Sequence, residues 1–159
     1  MLAVRSKEDR DNDRLTVAWT ERYGDPVIVS RGVSHDARTL PGFVVADGDG
    51  LISALTWHEA GGQIEVVTLD SFAEDRGAGT ALLAAVADLS RTKGVRRLWL
   101  ITTNDNIRAI RFYQKRGWNL CAVHFDAVTA ARKIKPEIPL TGDNDIPIRH
   151  EFEFEFVIG

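Results

Sequence analysis

A chain of 159 residues, 44% apolar and 27% charged, is long enough to bury the core of one globular domain, expected over residues 1–159, and calls for no second one. A net charge of -3, with 20 lysines and arginines scattered rather than clustered, gives no basic field and argues against nucleic acid as a partner. One cysteine, Cys121, excludes an internal disulfide; no apolar run approaches the ~20 residues that span a membrane, and Met1 to Arg10 carries charges where a signal peptide needs an apolar stretch, so the expected location is cytoplasmic with no membrane partner.

In chain order, Leu2 to Val4 is expected as an opening strand. Asp9 to Arg22 reads as a mostly polar helix, with Leu15, Val17, Ala18 and Trp19 as its apolar contribution and Gly24-Asp25-Pro26 as its end. Val27 to Val33 fits a strand or an irregular segment equally well. After Pro41-Gly42, Phe43 to Ala46 reads as a strand, Asp47-Gly48-Asp49-Gly50 as a hairpin turn, Leu51 to Glu59 as the next strand, and Gly61-Gly62 as the turn into Ile64 to Leu69. Three strands joined by glycine-rich turns make an antiparallel meander.

The stretch Arg76-Gly77-Ala78-Gly79-Thr80-Ala81 then connects the last of these strands to a helix-like run, Leu82 to Leu89. Glycines there permit a sharp turn and close approach to the main chain, and a helix start offers unpaired N–H groups and a partial positive charge, which together suit a phosphate. The same spelling also occurs in α/β turns that bind nothing. A dinucleotide fingerprint is excluded by Leu82 where a third glycine is needed, and no Walker-type Gly-Lys-Ser/Thr is present. Leu82, Leu83, Val86 and Leu89 give the helix one apolar face, and Lys93-Gly94 terminates it. Arg97 to Thr103 is a buried strand, so the strand-helix-strand unit predicts a parallel pair, 64–69 with 97–103.

Asn104-Asp105-Asn106 offers caps to a helix from Ile107 to Arg116, which Gly117 stops. Trp118 to Phe125 reads as a strand, with Cys121 expected in the core within the apolar series Leu120 to Val123. Ala127 to Lys135 is expected as a short helix and Pro136 to Ile148 as a loop. Glu151 to Phe156 alternates acidic and aromatic residues, the pattern of a strand with two unlike faces. It completes the sheet, or alternatively pairs with a second copy in a homodimer.

Two motifs now stand in order with one strand between them. Arg76-x-x-Gly79-x-Ala81 fits Arg/Gln-x-x-Gly-x-Gly/Ala, and Asn106, Ala109, Phe112-Tyr113 and Gly117-Trp118 fit Asn-x-x-Ala-x-x-Phe-Tyr-x-x-x-Gly-aromatic. Together they closely resemble the GNAT (Gcn5-related N-acetyltransferase) superfamily over residues 43–123. The resemblance implies an α/β fold: a mixed, twisted sheet of six or seven strands, flanked by helices and splayed where strands 64–69 and 97–103 part. It implies acetyl-CoA as co-substrate and no metal. The pantetheine would lie against Val67, Thr68 and Leu69, and the pyrophosphate on the amides of Arg76, Gly77, Ala78, Gly79, Thr80 and Ala81. Asn106, Ala109, Phe112 and Tyr113 would complete the cofactor site.

Acetyl transfer to an amine needs a neutral nucleophile, and an amine of pKa ~10.4 pays roughly 4 to 5 kcal/mol to be neutral at pH 7. Glu65 is the candidate base: it lies before the glycine loop, at the spacing the resemblance gives to a catalytic glutamate, on a strand where alternation puts it with Val67 and Leu69. Its other reading is a carboxylate near a strand end reaching solvent. Asp70, Asp105 and His124 are alternatives, and His58 is expected to decorate a hairpin end. Tyr113 is the candidate acid for the departing thiolate, or else ordinary aromatic packing beside Phe112. Asn106 either bonds the pantetheine or caps its helix. For the acceptor, Glu65, Asp70 and Asp126 suit a cationic amine of a small molecule or peptide, whereas Arg149 suits a carboxylate. A catalytically silent acyl-CoA-binding or regulatory domain is the alternative function.

Overall fold

The computed structural model describes residues 2–48, 50–73 and 77–158. Seven strands form one sheet: β1 (Val4–Ser6), β4 (Gly42–Asp47), β5 (Gly50–Ala60), β6 (Gln63–Ser71), β7 (Arg97–Thr103), β8 (Asn119–His124) and β9 (Glu151–Val157). Their spatial order is β1-β4-β5-β6-β7-β9-β8, and every neighbouring pair is antiparallel except β6 with β7. The helices are α1 (Asn12–Tyr23), α2 (Ala78–Lys93), α3 (Ile107–Lys115) and the short α4 (Ala127–Ala131). The opening strand lies two residues later than its apolar run suggests, because Val4, Arg5 and Ser6 are the residues that register against Val45, Val44 and Phe43.

The ambiguous segment after α1 is a hairpin, β2 (Val27–Ser30) and β3 (Val33–Asp36). Its two-residue turn has Arg31 at φ 49° and Gly32 at φ 75°, the left-handed pair that a tight hairpin of natural twist requires. Ile28, Ser30 and His35 share its inward face, and Ser30 and His35 are buried. Lys135, itself buried, donates to Asp25 Oδ1 (2.9 Å) and to the Val27 carbonyl (2.5 Å), so the chain after α4 is tied to the start of the hairpin.

Apolar periodicity divides the core between the two faces of the sheet. On one side Leu82, Leu83 and Val86 of α2 and Tyr113 of α3 pack on Leu55, Trp57, Ile64, Val66, Leu98, Leu100 and Phe154. On the other, Leu15 and Trp19 of α1 pack on Val44, Leu51 and Ala54. β9 lies between β7 and β8, hydrogen-bonded on both edges, with its phenylalanines toward the first cluster. It therefore completes its own sheet and has no edge to offer a second copy.

Gly42 shows how closely β4 and β5 approach. A Cβ there would stand 2.5 Å from the Leu55 carbonyl oxygen, a backbone atom that cannot swing aside. Gly42→Ala is expected to destabilise the fold by about 2 kcal/mol, read as a lowered urea midpoint at unchanged slope.

One expectation about the sheet is corrected. In β5 and β6, Thr56 pairs with Thr68 but Trp57 with Val66, so Val67 is an extra residue, a bulge. It resets the alternation: Glu65 shares its face with Thr68 and Asp70, while Leu69 joins Ile64 and Val66 on the α2 side. The expected grouping of Glu65 with Val67 and Leu69 fails because a period of two does not survive an inserted residue.

Candidate active site

The parallel pairing of β6 and β7 runs from Gln63 with Arg97 to Val66 with Leu100, while β6 continues to Ser71 and β7 to Thr103. Beyond Val66 the two strands part, and among the described residues the main chain of Val67, Thr68 and Leu69 has no strand partner on the β7 side. This is the expected splay. The Thr68 side chain is turned away from that opening's α2 side and is engaged by Thr56, Oγ1 to Oγ1 at 2.6 Å.

The glycine loop meets α2 close by. Arg76 lies outside the described residues. Gly77 caps α2 in the left-handed region, φ 72°, where a side chain is strained, and the helical hydrogen bond at the turn runs from Ala81 N to Gly77 O, 3.1 Å. The amides of Ala78, Gly79 and Thr80 thus precede any intrahelical acceptor and present a dipole end with donors for an anion. Phe112 of α3 stands over this turn: a Cβ on Gly79 would come within 3.1 Å of its Cζ. Arg116 stacks on the Phe112 ring at 3.6 Å and donates to Thr80 Oγ1 at 2.8 Å, which joins the ends of α2 and α3. Asn106 accepts from Ala109 N at 3.2 Å, so its carbonyl oxygen caps α3 while its amide N–H groups are donors for another partner.

Tyr113 is buried between Phe112 (ring centroids 5.4 Å), Trp118 (5.7 Å) and Phe154 (5.9 Å). Burial holds its phenol well above the ordinary range, with Asp70 adding to the shift and Arg22 opposing it, so the group is protonated at neutral pH. Asp70 is the centre of a cluster that its position alone does not reveal. It accepts from Trp19 Nε1 and from Tyr23 OH, each at 3.2 Å, and Arg22 Nη1 is 3.3 Å away. Burial pushes its carboxyl up while these three partners pull it down, and both of its oxygens are engaged.

Glu65 is the inverse case. It is 4% exposed, on the hairpin face of β6, so the reading of a carboxylate reaching solvent is overturned. Ser30 Oγ donates to its Oε2 at 2.5 Å and His35 Nε2 stands 3.7 Å from its Oε1. Burial, with Glu151 and Glu153 of β9 nearby, pushes its carboxyl up to about 7, against the Ser30 hydrogen bond that favours the anion. A carboxyl that half-ionises near neutrality can both take and release a proton.

The remaining candidates are engaged elsewhere. Asp105, buried, accepts from Thr103 Oγ1 (2.5 Å) and Asp143 N (3.3 Å) and pins the late loop. His124 bonds Glu153 (2.9 Å), His58 is exposed beside the β5 end as expected, and Asp126 pairs with Arg149 at 3.1 Å, so neither of these last two is an unopposed charge for an acceptor. Cys121 is corrected: it is the bulged residue of β8, an edge strand, and is exposed, with Sγ 3.4 Å from the Glu153 carbonyl. An apolar run marks a core only when both faces of its strand are covered.

Sequence reasoning missed Ser30, His35 and Glu151. Glu151 is 2% exposed and accepts from Arg31 N at 3.3 Å. The Arg31-Gly32 pair between two alternating runs was the available signal for the hairpin that brings these residues in.

A mixed sheet splayed beyond its one parallel pair, with the N-terminus of α2 at the opening, a buried Glu65 on the hairpin face and a buried Tyr113 on the α2 side, makes an α/β protein with a site for a long, anion-bearing ligand. The sequence profile of the Acetyltransferase (GNAT) family matches residues 7–118, and the chain belongs to that family. Uncharacterised Bacillus subtilis (strain 168) proteins are similar over most of their length: YdhI is 41% identical over 160 residues, covering 99% of each chain, and YxbD is 39% identical over 141 residues, covering 87% of this chain and 88% of its own. An acetyltransferase of Bacillus subtilis crystallised in complex with CoA shares the fold at TM-score 0.71 with 15% identity, over 100% of both chains.

Proposed function

We propose that residues 1–159 are one acetyl-CoA-dependent N-acetyltransferase domain whose acceptor is a primary amine of a small molecule or peptide. The observation that carries the reading is Glu65, a buried carboxyl raised to about 7 beside the splay, on the strand whose free main chain runs toward the α2 turn. Family membership and the crystallised CoA complex of the Bacillus subtilis relative of this fold support the co-substrate.

In this reading the main chain of Val67, Thr68 and Leu69 pairs with the pantetheine amides, and the amides of the Arg76 to Ala81 loop hold the pyrophosphate, with Ala109 and Phe112 walling the site and the Asn106 amide group donating into it. Bound acetyl-CoA supplies the thioester. Glu65 accepts a proton from the incoming ammonium, which leaves a lone pair to attack the carbonyl carbon. When the tetrahedral adduct collapses and the C–S bond breaks, Tyr113 gives its proton to the sulfur and regains one from the nitrogen. Two N–H bonds are thereby lost, one proton ending on the thiol and one on Glu65.

Gly79→Glu tests the loop. It brings a carboxylate to the anion cradle and a Cβ against Phe112, 3.1 Å from its Cζ, so calorimetry is expected to find no acetyl-CoA binding where the parent binds; normal affinity removes the cradle. The acceptor class is tested by thiol release from acetyl-CoA with a panel of putrescine, a lysine-terminated peptide and a free α-amino peptide, with water alone as the baseline.

A further inference from the structure

The proton that Glu65 takes has to leave before the next turnover, and Glu65 is 4% exposed. The groups facing it are few. Ser30 and His35 come from the hairpin, Glu151 and Glu153 from β9, and His58 is its cross-strand partner on β5. Glu151 is engaged by Arg31, and Glu153 by Arg97 and His124, so neither is a path outward. Ser30 already donates its hydroxyl proton to Glu65.

His35 is different. Its Nε2 is 3.7 Å from Glu65 Oε1, a small side-chain rotation from a hydrogen bond, and its ring lies 5.0 Å, centroid to centroid, from the ring of His58, which is exposed. The buried carboxyl, the buried imidazole and the exposed imidazole are successive neighbours, and the last of them reaches solvent. Resting on the assignment of Glu65 as base, we infer that His35 and His58 are the proton exit of this enzyme. The Glu65 O–H bond breaks as an Nε2–H bond forms on His35, and the imidazolium returns to neutrality by losing a proton through His58 to water. Burial and the neighbouring His58 lower the His35 pKa, so the ring is neutral between turnovers and ready to accept. His35 and His58 touch neither acceptor nor co-substrate in this scheme; they act through Glu65.

His35→Phe keeps a ring in the same space and cannot carry a proton. With the acceptor found by the amine panel, or with acetyl-CoA hydrolysis by water if none is turned over, kcat is expected to fall about tenfold with acetyl-CoA KM unchanged, and to rise with imidazole concentration toward the parent value. The parent is expected to be insensitive to imidazole. His58→Gln, at an exposed position, is expected to lose about threefold and to be rescued in the same way, which decides the matter if His35→Phe fails to fold. Parent-like kcat in both variants, or a loss that imidazole leaves untouched in a variant with parent melting temperature, overturns the relay. Glu65→Gln separates the two assignments: if it is inactive and not rescued while the histidine variants are fully active, only the relay falls, and if it is fully active the base assignment falls with it.

Discussion

Glu65→Gln is expected to reduce kcat by about a hundredfold or more at pH 7 and, at the same time, to make the folded protein more stable above neutrality. The first effect follows from chemistry. The parent kcat/KM should rise with pH through an apparent pKa near 7, the value to which burial raises Glu65, whereas the variant, left with water as acceptor of the proton, should rise only toward the much higher pKa of the amine. The second follows from linkage. A free glutamic acid ionises near pH 4.3 and the folded one near 7, so between these values the folded state holds a proton that the unfolded state has released. Stability from this group is fully present below pH ~4.3 and is lost as pH rises through 7, a decline of roughly 4 kcal/mol at 1.36 kcal/mol per unit. Glutamine is isosteric and neutral, so the variant should match the parent in urea denaturation at pH 4 and exceed it at pH 8.5. The two effects together would mark Glu65 as a residue kept for activity at a cost in stability.

Tyr113→Phe is expected to lower kcat about tenfold to a hundredfold with acetyl-CoA KM changed by no more than about twofold. The ring contacts with Phe112, Trp118 and Phe154 are made by carbon and survive the substitution, so neither the α3 packing nor the splay should move. Only the hydroxyl is lost. Burial makes this phenol a weak acid, and Arg22, paired with Asp70, works against that shift. A variant that keeps full kcat assigns the proton to water or another group.

The parts of this site that were legible in the sequence are those specified by short-range rules. Glycine, small residue and helix start are adjacent in the chain at Gly77 to Ala81, and Asn106 to Trp118 is one helix with its cap and its stop, so their spacing survives folding unchanged. The β6-β7 parallel pair was equally legible, because a strand-helix-strand crossover leaves little choice. What was not legible depends on partners far along the chain. Ser30 and His35 reach Glu65 only because a hairpin with a left-handed Arg31 folds over it, and Glu151 comes from more than eighty residues downstream by entering the sheet between β7 and β8. The Val67 bulge is invisible to a period-two count, and it is the reason Glu65 faces the hairpin while Leu69 faces α2. Cys121 departs from the core for a related reason: its strand is apolar in spelling but lies at an edge and bulges.

The most direct test of the account is the stoichiometry of the reaction itself. Acetyl-CoA is incubated with the protein and each primary amine of the panel, free thiol is counted with a chromogenic disulfide, and the N-acetyl product is quantified by mass spectrometry. The account predicts one amide formed per thiol released with at least one amine, and loss of both signals together in Glu65→Gln. Acetyl-CoA that binds but yields no amide with any amine, or thiol release without amide at a rate that Glu65→Gln leaves unchanged, would contradict it.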